Sequence, residues 1–288
     1  MKRLGHEISI LFVDYKNSFL TKRVFVLFAL LFFVINIYLQ PIRKFSRETG
    51  YDVSAGCFVF LLFDLYFSLV FIFACIYFFS NVPFLTYHQS YRIVRMGKLK
   101  WGIHQILNIF ISAVLLIAVI AAESILILAP RISWDNNWGK IIYTLSLTNM
   151  GEQYGVQLNF DYNIIKSYSP YETVGLVFLV GTLMVCFLGN MMFVLSLYFS
   201  RTAALSVASI EAAFIIMLEN MYLFPKMIFI TPFSWIRLDK ILYLQQNHMP
   251  APSILQAILY LLAGNGICIL LALIRIRHMG YSKYVKKE

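Results

Sequence analysis

Between residues 103 and 129 the chain reads IHQILNIFISAVLLIAVIAAESILILA, a long apolar run in which Glu123 is the only formally charged residue. A membrane-spanning helix needs about 20 apolar residues in succession, so this stretch is long enough to cross a bilayer. A strand of a transmembrane β-barrel would instead alternate apolar and polar residues over about ten positions. The stretch therefore predicts a membrane-spanning helix.

The same character extends over the whole chain of 288 residues, of which 60% are hydrophobic and only 13% are charged. That charged share is about half of what a soluble domain carries. The composition excludes a disordered protein. The four cysteines lie far apart in apolar runs, which excludes a disulfide-rich secreted scaffold. We expect an all-α polytopic membrane protein in which residues 1–288 form a single transmembrane domain.

The apolar runs predict six transmembrane helices. They cover residues 24–39, 57–79, 103–129, 173–199, 203–224 and 254–274. Residues 1–23 mix apolar and charged side chains near helical spacing, which predicts an N-terminal amphipathic helix in the membrane interface. Residues 225–252 are too apolar for a free loop and too interrupted for a span. We expect a re-entrant or interfacial segment there, before the last span.

The distribution of basic residues predicts the orientation in the membrane. With six spans both termini lie on one side, and most of the 24 lysines and arginines fall on that side. We expect a multi-pass protein of a bacterial cell membrane with both termini in the cytoplasm and the loop 130–172 outside. The net charge of +10 then reflects orientation and contact with anionic lipid, and no nucleic-acid partner is needed.

Motifs of enzymes are absent from the sequence. It contains no GxxxxGK[ST] loop for a nucleotide, no HExxH pair for zinc and no Gly-x-Ser-x-Gly elbow. The five histidines are scattered and none is predicted in the middle of a span. We therefore expect no catalytic, cofactor-binding or metal-binding residues in this chain. Transport, sensing and scaffolding are the remaining classes of function.

The order of three further stretches along the chain is similar to that in a known protein family. The second and third spans are joined by the basic loop YRIVRMGKLKW, residues 91–101. SPYE at 169–172 leads into the fourth span, and TPFSW at 231–235 precedes the last. Together with the amphipathic helix before the first span, this order resembles the permease (transmembrane) subunits of ABC type-2 exporters, notably those of Gram-positive peptide-export and antibiotic-resistance systems. The resemblance covers nearly the whole chain.

The resemblance implies a membrane permease subunit of an ATP-driven ABC exporter. Such a subunit moves a peptide or an amphipathic or cationic compound outward, together with a second permease subunit, identical or homologous. Two copies of a separate ABC ATPase subunit bind the ATP and Mg²⁺. The alternative is a membrane sensor or immunity component with the same fold, which binds a peptide without transporting it.

In this family the loop after the second span is the coupling helix that docks on the ATPase. The resemblance assigns this role to six residues. They are Tyr91, Arg92, Arg95, Gly97, Lys98 and Trp101. The alternative interpretation is a basic anchor that only sets the orientation of the chain.

Acidic residues inside the predicted spans are candidates for a translocation pathway. They are Asp64, Glu123, Glu211 and Glu219. An ionised carboxylate in a bilayer costs roughly 2.5 kcal/mol or more, so it usually faces a cavity or a partner. Three of the acids fall at one predicted depth near the outer boundary, which suggests an acidic vestibule, whereas Glu211 lies deeper. The alternative is that each is neutral, paired with a nearby polar side chain, or at the interface.

Span five carries small residues at a spacing of four. Ala204, Ala208 and Ala212 would let another helix approach closely. One interpretation is ordinary packing within one subunit. The other is the seam between two permease subunits, which in the family runs through spans one and five.

Overall fold

The computed structural model describes residues 21–83, 97–220 and 225–279, and these residues are mostly helical. The α-helices are α1 (Lys22–Thr49), α2 (Phe58–Phe63), α3 (Leu65–Phe79), α4 (Lys98–Leu128), α5 (Gly139–Leu147), α6 (Met150–Tyr154), α7 (Tyr162–Ser167), α8 (Pro170–Tyr198), α9 (Arg201–Asn220), α10 (Leu238–Gln246) and α11 (Ile254–His278). Short 3-10 helices cover Ala55–Cys57, Pro225–Phe229 and Pro232–Ile236, and two strands are β1 (Val53–Ser54) and β2 (Ile132–Ser133). The predicted interfacial helix lies, up to residue 20, outside the described residues.

Several helices are suited to a membrane. Among the described residues, α1, α4, α8 and α11 are each long and apolar enough to cross one, and α2 with α3 would add a fifth crossing if counted as one span. The predicted span 203–224 coincides with α9 as far as Asn220, and residues 221–224 are not described. The helices agree with the expected all-α membrane protein, while the number of six crossings stays a prediction.

The structure corrects the expectation of a continuous second span over residues 57–79. Helices α2 and α3 meet at an angle of 87°. Asp64 between them has an extended backbone, with φ −65° and ψ 135°, which interrupts the helix. Hydropathy averaged along the sequence reports composition, and so it does not register a bend at a single capping residue.

Hydrogen bonds between helix ends identify one end of the bundle. Arg23 at the start of α1 donates to the carbonyl of Tyr77 in the last turn of α3 (2.7 Å). Lys98 at the start of α4 donates to the carbonyl of Met279, just after α11. We call this the terminal end of the bundle, because the described residues nearest the two chain termini lie here.

At the opposite end, residues 130–169 fold into a cap, and we call this the capped end. The cap contains β2, which pairs in parallel with β1, followed by α5, α6 and α7. The indole N–H of Trp138, 1% exposed, donates to the carbonyl of Tyr168 (2.8 Å). The ring of Phe60 in α2 packs against Trp138 and Phe160, at centroid distances of 5.2 and 4.7 Å. The cap therefore has an aromatic core that rests on α2.

Helix α8 is central, because it packs against α3, α4, α9 and α11. Its start is fixed by a capping box, in which Ser169 and Glu172 each accept a hydrogen bond from the other's backbone N–H. Ser253 and Gln256 form the same device at the start of α11. Local sequence thus sets the beginning of both helices in the most extensive helix pair of the bundle.

Candidate functional site

The bend between α2 and α3 is built around Asp64. One carboxylate oxygen accepts a hydrogen bond from the backbone N–H of Phe67 (2.8 Å), which caps α3. The same oxygen accepts a hydrogen bond from the Tyr38 hydroxyl of α1 (3.2 Å), and the Tyr38 and Phe67 rings pack edge to face at 5.8 Å. Asp64 is therefore satisfied locally, in keeping with the alternative that this acid is a structural residue.

A buried arginine meets the backbone carbonyl at the end of α2. Arg237, 7% exposed, donates from Nε to the carbonyl oxygen of Phe63 (2.8 Å). A guanidinium nitrogen of Arg237 lies 4.0 Å from a carboxylate oxygen of Asp239. Interrupted backbone at membrane depth must find such partners within the protein, because lipid offers none. Asp64 and Arg237 thus each satisfy one backbone group, on opposite sides of the bend.

The segment 225–252, predicted as re-entrant or interfacial, consists of two 3-10 helices followed by α10. Trp235 is 4% exposed, and its indole N–H donates to the carbonyl of Ile228 (2.7 Å). Thr231 is fully buried, and its carbonyl accepts a hydrogen bond from the Ser234 hydroxyl (2.7 Å). The segment is a compact, internally bonded unit, and its depth relative to a bilayer stays a prediction.

The other predicted pathway acids lie on α4 and α9. Glu123 and Glu211 each have one buried carboxylate oxygen without a hydrogen-bond partner among the described residues. Glu219 lies in the last turn of α9, and its side chain is not described. Within the described chain, α4 and α9 both pack against α8 and not extensively against each other. The structure therefore does not place Glu123 and Glu211 on two helices that pack extensively against each other.

The alanines at spacing four in α9 face the inside of this chain. Ala204 is 2% exposed, and Ala208 and Ala212 are fully buried. Helix α9 packs against α8 and α3, so these helices account for the burial. The residues of α9 that are open to the surroundings lie on the other face and include Val207 and Ile210.

Half of the predicted ATPase-coupling residues fall in the described chain, at the start of α4. Gly97 has φ +87°, a positive φ that favours glycine. Lys98 donates to the carbonyl of Met279, as described above. Trp101 is 2% exposed and packs against the ring of Phe193, with 6.1 Å between centroids. Tyr91, Arg92 and Arg95 lie outside the described residues.

Close helix contacts in the bundle involve residues that the sequence patterns did not single out. A Cβ atom at Gly189 of α8 would lie 2.6 Å from Cγ2 of Ile109 in α4, and one at Gly181 would lie 2.9 Å from Cδ1 of Ile117. The two glycines are eight positions apart, so they lie on one helix face. This spacing was visible in the sequence and is the signal that could have identified the contact.

Buried amides link α8 to α11. The side-chain N–H of Asn190 donates to the amide oxygen of Asn265 (2.8 Å). Asn265 in turn donates to the carbonyls of Leu183 and Leu261. Both amides are largely buried, at 4% and 7% exposure. Such bonds between membrane helices add a modest stabilisation, about 0.6 kcal/mol on average.

A groove of about 400 Å³ opens at the capped end, between the end of α1 and the cap. It is lined by Phe45, Thr49, Tyr51, Lys140, Ile141, Tyr143, Thr144 and Met150. The Lys140 ammonium lies 4.3 Å above the Tyr51 ring and bonds to its hydroxyl (3.2 Å). An apolar floor with a cation and hydroxyl groups at its rim can accept an amphipathic chain.

Comparison with known proteins adds no relative. No protein-family model, no curated protein and no solved structure matches this chain.

Within the described residues, no group of three or more histidine, cysteine or acidic side chains is arranged to hold a metal ion.

Proposed function

We propose that this chain is the membrane permease subunit of an ATP-driven ABC exporter, which moves a peptide or an amphipathic or cationic compound outward. The chain would cross the cell membrane six times, with the bent pair α2–α3 as the second crossing and α9 as the fifth. Two copies of a separate ATPase subunit would bind ATP and Mg²⁺. A second permease subunit, identical or homologous, would complete the pathway.

The observation that carries this proposal is the anchoring of the connection between α3 and α4. Residues 84–96 of this connection are not described, but its two flanks are bonded to other helices. The carbonyl of Pro83 accepts a hydrogen bond from Arg201 at the start of α9 (3.2 Å). Lys98 donates to the carbonyl of Met279 after α11. A force applied to this connection would therefore reach α9 and α11 as well as α3 and α4.

The far ends of α1 and α4 are also bonded to each other. At the capped end, Arg43 of α1 donates to the carbonyl of Ala129 (3.2 Å), and Arg131 donates to the carbonyl of Ser46 (3.2 Å). In the proposed cycle, closure of the ATPase subunits would press on the connection at the terminal end. The helices would carry that movement to the capped end, so that nucleotide and cargo bias one equilibrium between two states.

For a cationic cargo, Glu123 and Glu211 are the proposed pathway residues. Each has a buried oxygen that is unbonded among the described residues. A carboxylate in surroundings of low dielectric attracts a cation more strongly than one in water does. Asp64 is not needed for this role, because Phe67 and Tyr38 already satisfy the oxygen it uses. Glu219 is retained as a candidate from the sequence.

The test is co-purification of an ATPase with the chain and with the variant R92E/R95E, in which the loop charges are reversed. We expect the variant to lose the ATPase or to lose the stimulation of hydrolysis by cargo, because reversed charges meet the groups that the arginines face. Lys98 is left unchanged, since it bonds to Met279 within the chain.

The matched control is K166E/K226E, which makes the same charge change at two exposed positions of the capped end. This control should bind the ATPase and respond to cargo as the unmodified chain does. An R92E/R95E protein that is correctly inserted, binds the ATPase and responds normally to cargo would refute the docking role. Failure of any ATPase to accompany the unmodified chain would refute the exporter.

The second candidate function is a sensor or immunity component that holds a peptide without moving it. The groove between α1 and the cap favours this candidate, because it combines apolar and cationic groups on a surface away from the terminal end. A peptide that binds the purified chain, with no associated ATPase and no transport in vesicles, would support this function over export.

A further inference from the structure

The last ten residues of α1 carry a basic face of their own. Gln40, Arg43, Lys44 and Arg47 occupy positions i, i+3, i+4 and i+7, which lie on one side of a helix. Lys44 and Arg47 are exposed, whereas Arg43 is half-buried and donates to the carbonyl of Ala129 at the end of α4. The exposed residues of α1 before this face are apolar, from Phe25 to Ile37.

These side chains line a groove of about 350 Å³ that is separate from the groove beneath the cap. Its walls are Gln40, Pro41, Arg43, Lys44, Arg47 and Tyr154. No carboxylate is among the residues that line it in the described chain. Pro41 has no N–H, so the helix lacks its usual donor to the carbonyl of Ile37 one turn earlier. Because Arg43, Lys44 and Arg47 are among its walls, the groove presents several cationic donors to a ligand.

The nearest acid on α1, Glu48, is occupied by other groups. The Tyr154 hydroxyl donates to a Glu48 oxygen (2.7 Å), and this hydrogen bond raises the pKa of Tyr154. Lys44 lies 4.0 Å from the other Glu48 oxygen, a distance that leaves the ammonium free to contact a further anion. Glu152 is the acid of α6 and does not line the groove. Arg43 Nε is buried without a hydrogen-bond partner among the described residues.

We expect the groove to lie near the level where a bilayer carries its phosphates. Ile37, 44% exposed, is the last large apolar residue on the open face of α1. At 1.5 Å per residue, Gln40 is about 4.5 Å beyond it, Lys44 about 10.5 Å and Arg47 about 15 Å. The headgroup layer on each side of the hydrocarbon core is roughly 5–8 Å deep. Gln40 would then fall within the headgroup layer, whereas the backbones of Lys44 and Arg47 would lie beyond it. Their long side chains tilt toward the helix N-terminus, which would bring the charges back toward the phosphates, next to a helix surface that fits acyl chains.

We propose that this groove binds the phosphate headgroup of an anionic glycerophospholipid, with the acyl chains lying along the apolar face of α1. Arg47 and Lys44 contact the phosphate as positive donors, and Arg43 supplies a third charge from the wall that faces the cap. The same phosphate chemistry could come from a soluble phosphate. The position directly beyond Ile37 favours the lipid, because its acyl chains have an apolar surface to lie against.

The test uses the full chain in nanodiscs of phosphatidylcholine with and without phosphatidylglycerol, and native mass spectrometry counts the lipids that remain bound. We expect selective retention of phosphatidylglycerol by the unmodified chain. K44Q/R47Q should lower that retention about twentyfold or more, at about fivefold for each cation removed near a membrane surface. K166Q/K226Q removes the same charge from exposed positions that do not line the groove, and it should retain the lipid fully.

Two results would overturn the proposal. One is equal retention of phosphatidylglycerol by K44Q/R47Q and by the unmodified chain. The other is displacement of the lipid by millimolar inorganic phosphate or glycerol phosphate, which would assign the groove to a soluble anion. A thermal-unfolding measurement on K44Q/R47Q in phosphatidylcholine alone checks that the variant is folded, since both side chains are exposed and a matched melting temperature is expected.

Discussion

At the scale of single residues, Asp64 and Arg237 support the bend between α2 and α3. Breaking a helix leaves up to four N–H groups on one side and up to four carbonyls on the other without partners inside the helix. Asp64 accepts from the N–H of Phe67, and Arg237 donates to the carbonyl of Phe63. Each group would otherwise be a buried, unbonded polar atom, at a cost of about 1–3 kcal/mol.

We predict that Asp64→Leu lowers the free energy of unfolding by about 0.5–2 kcal/mol, the usual cost of losing an N-terminal helix cap. Asp64→Asn should stay within a few tenths of a kcal/mol of the unmodified chain, because asparagine is an equally good cap. Thermal unfolding of the purified variants in one detergent measures both effects.

Transport by the same two variants separates the cap from a role in the pathway. If Asp64 acts only as a cap, Asp64→Asn exports cationic cargo at the unmodified rate. If the Asp64→Asn protein is as stable as the unmodified chain but selectively loses export of cationic cargo, Asp64 has a role in the translocation pathway.

The sequence contains Asp64 and Arg237 but not the fact that they act together. Arg237 is 174 residues away from Phe63, and nothing in the local pattern links the two positions. An acid in an apolar run is compatible with a pathway, an ion pair or a cap, and only the backbone distinguishes these possibilities. Glu123 and Glu211 show the opposite case, because their buried oxygens keep a pathway role open.

At the scale of elements, α8 organises the bundle through its glycines. Gly189 allows α4 to approach so closely that a single added carbon would overlap Ile109. Gly175, near the start of the same helix, has open space where a Cβ would be. The two positions therefore form a matched pair for substitution. Both are glycines of α8, but Gly189 is tightly packed and Gly175 has open space around it.

We predict that Gly189→Ala destabilises the protein by about 1–3 kcal/mol, the usual cost of overpacking a well-filled interior. Gly175→Ala should be neutral or stabilising by up to about 1 kcal/mol, because alanine favours a helix over glycine. Melting temperatures in a single detergent provide the comparison. Equal effects of the two substitutions would show that α4 and α8 are not in close contact at Gly189.

Long helices were predictable because their apolar runs are continuous and their starts carry capping residues. The predicted spans 103–129, 173–199 and 254–274 match α4, α8 and α11 closely. The first predicted span, 24–39, lies inside the longer α1, because the polar residues up to Thr49 stay helical where they pack on the cap. The helices of the cap were not predicted, because they are short and their packing on Phe60 comes from a distant part of the sequence.

At the scale of the whole molecule, the terminal end and the capped end should lie on opposite sides of the membrane. The proposed orientation puts the terminal end in the cytoplasm. Asn149 in the cap and Lys100 at the start of α4 are both exposed, so cysteines at these positions would be reachable by a soluble reagent.

We predict that a membrane-impermeant thiol reagent labels Asn149→Cys in intact cells and labels Lys100→Cys only after the cells are opened. A Cys268→Ser background lowers labelling of native thiols, since Cys57, Cys75 and Cys186 are buried. Labelling of Lys100→Cys in intact cells, with protection of Asn149→Cys, would invert the proposed orientation.

The bend at Asp64 also has a consequence for the lipid around the protein. Helix α3 has 15 residues and spans about 22 Å, whereas an average hydrocarbon core is about 30 Å thick. Its exposed face runs from Tyr66 to Tyr77, two aromatic residues of the kind that anchor at bilayer surfaces. A bilayer next to α3 would have to become thinner, at a fraction of a kcal/mol per Å of mismatch. We predict a higher melting temperature in nanodiscs of short-chain than of long-chain phosphatidylcholine. If the long-chain nanodiscs gave the higher melting temperature, we would expect the bend at Asp64 to be straightened in them.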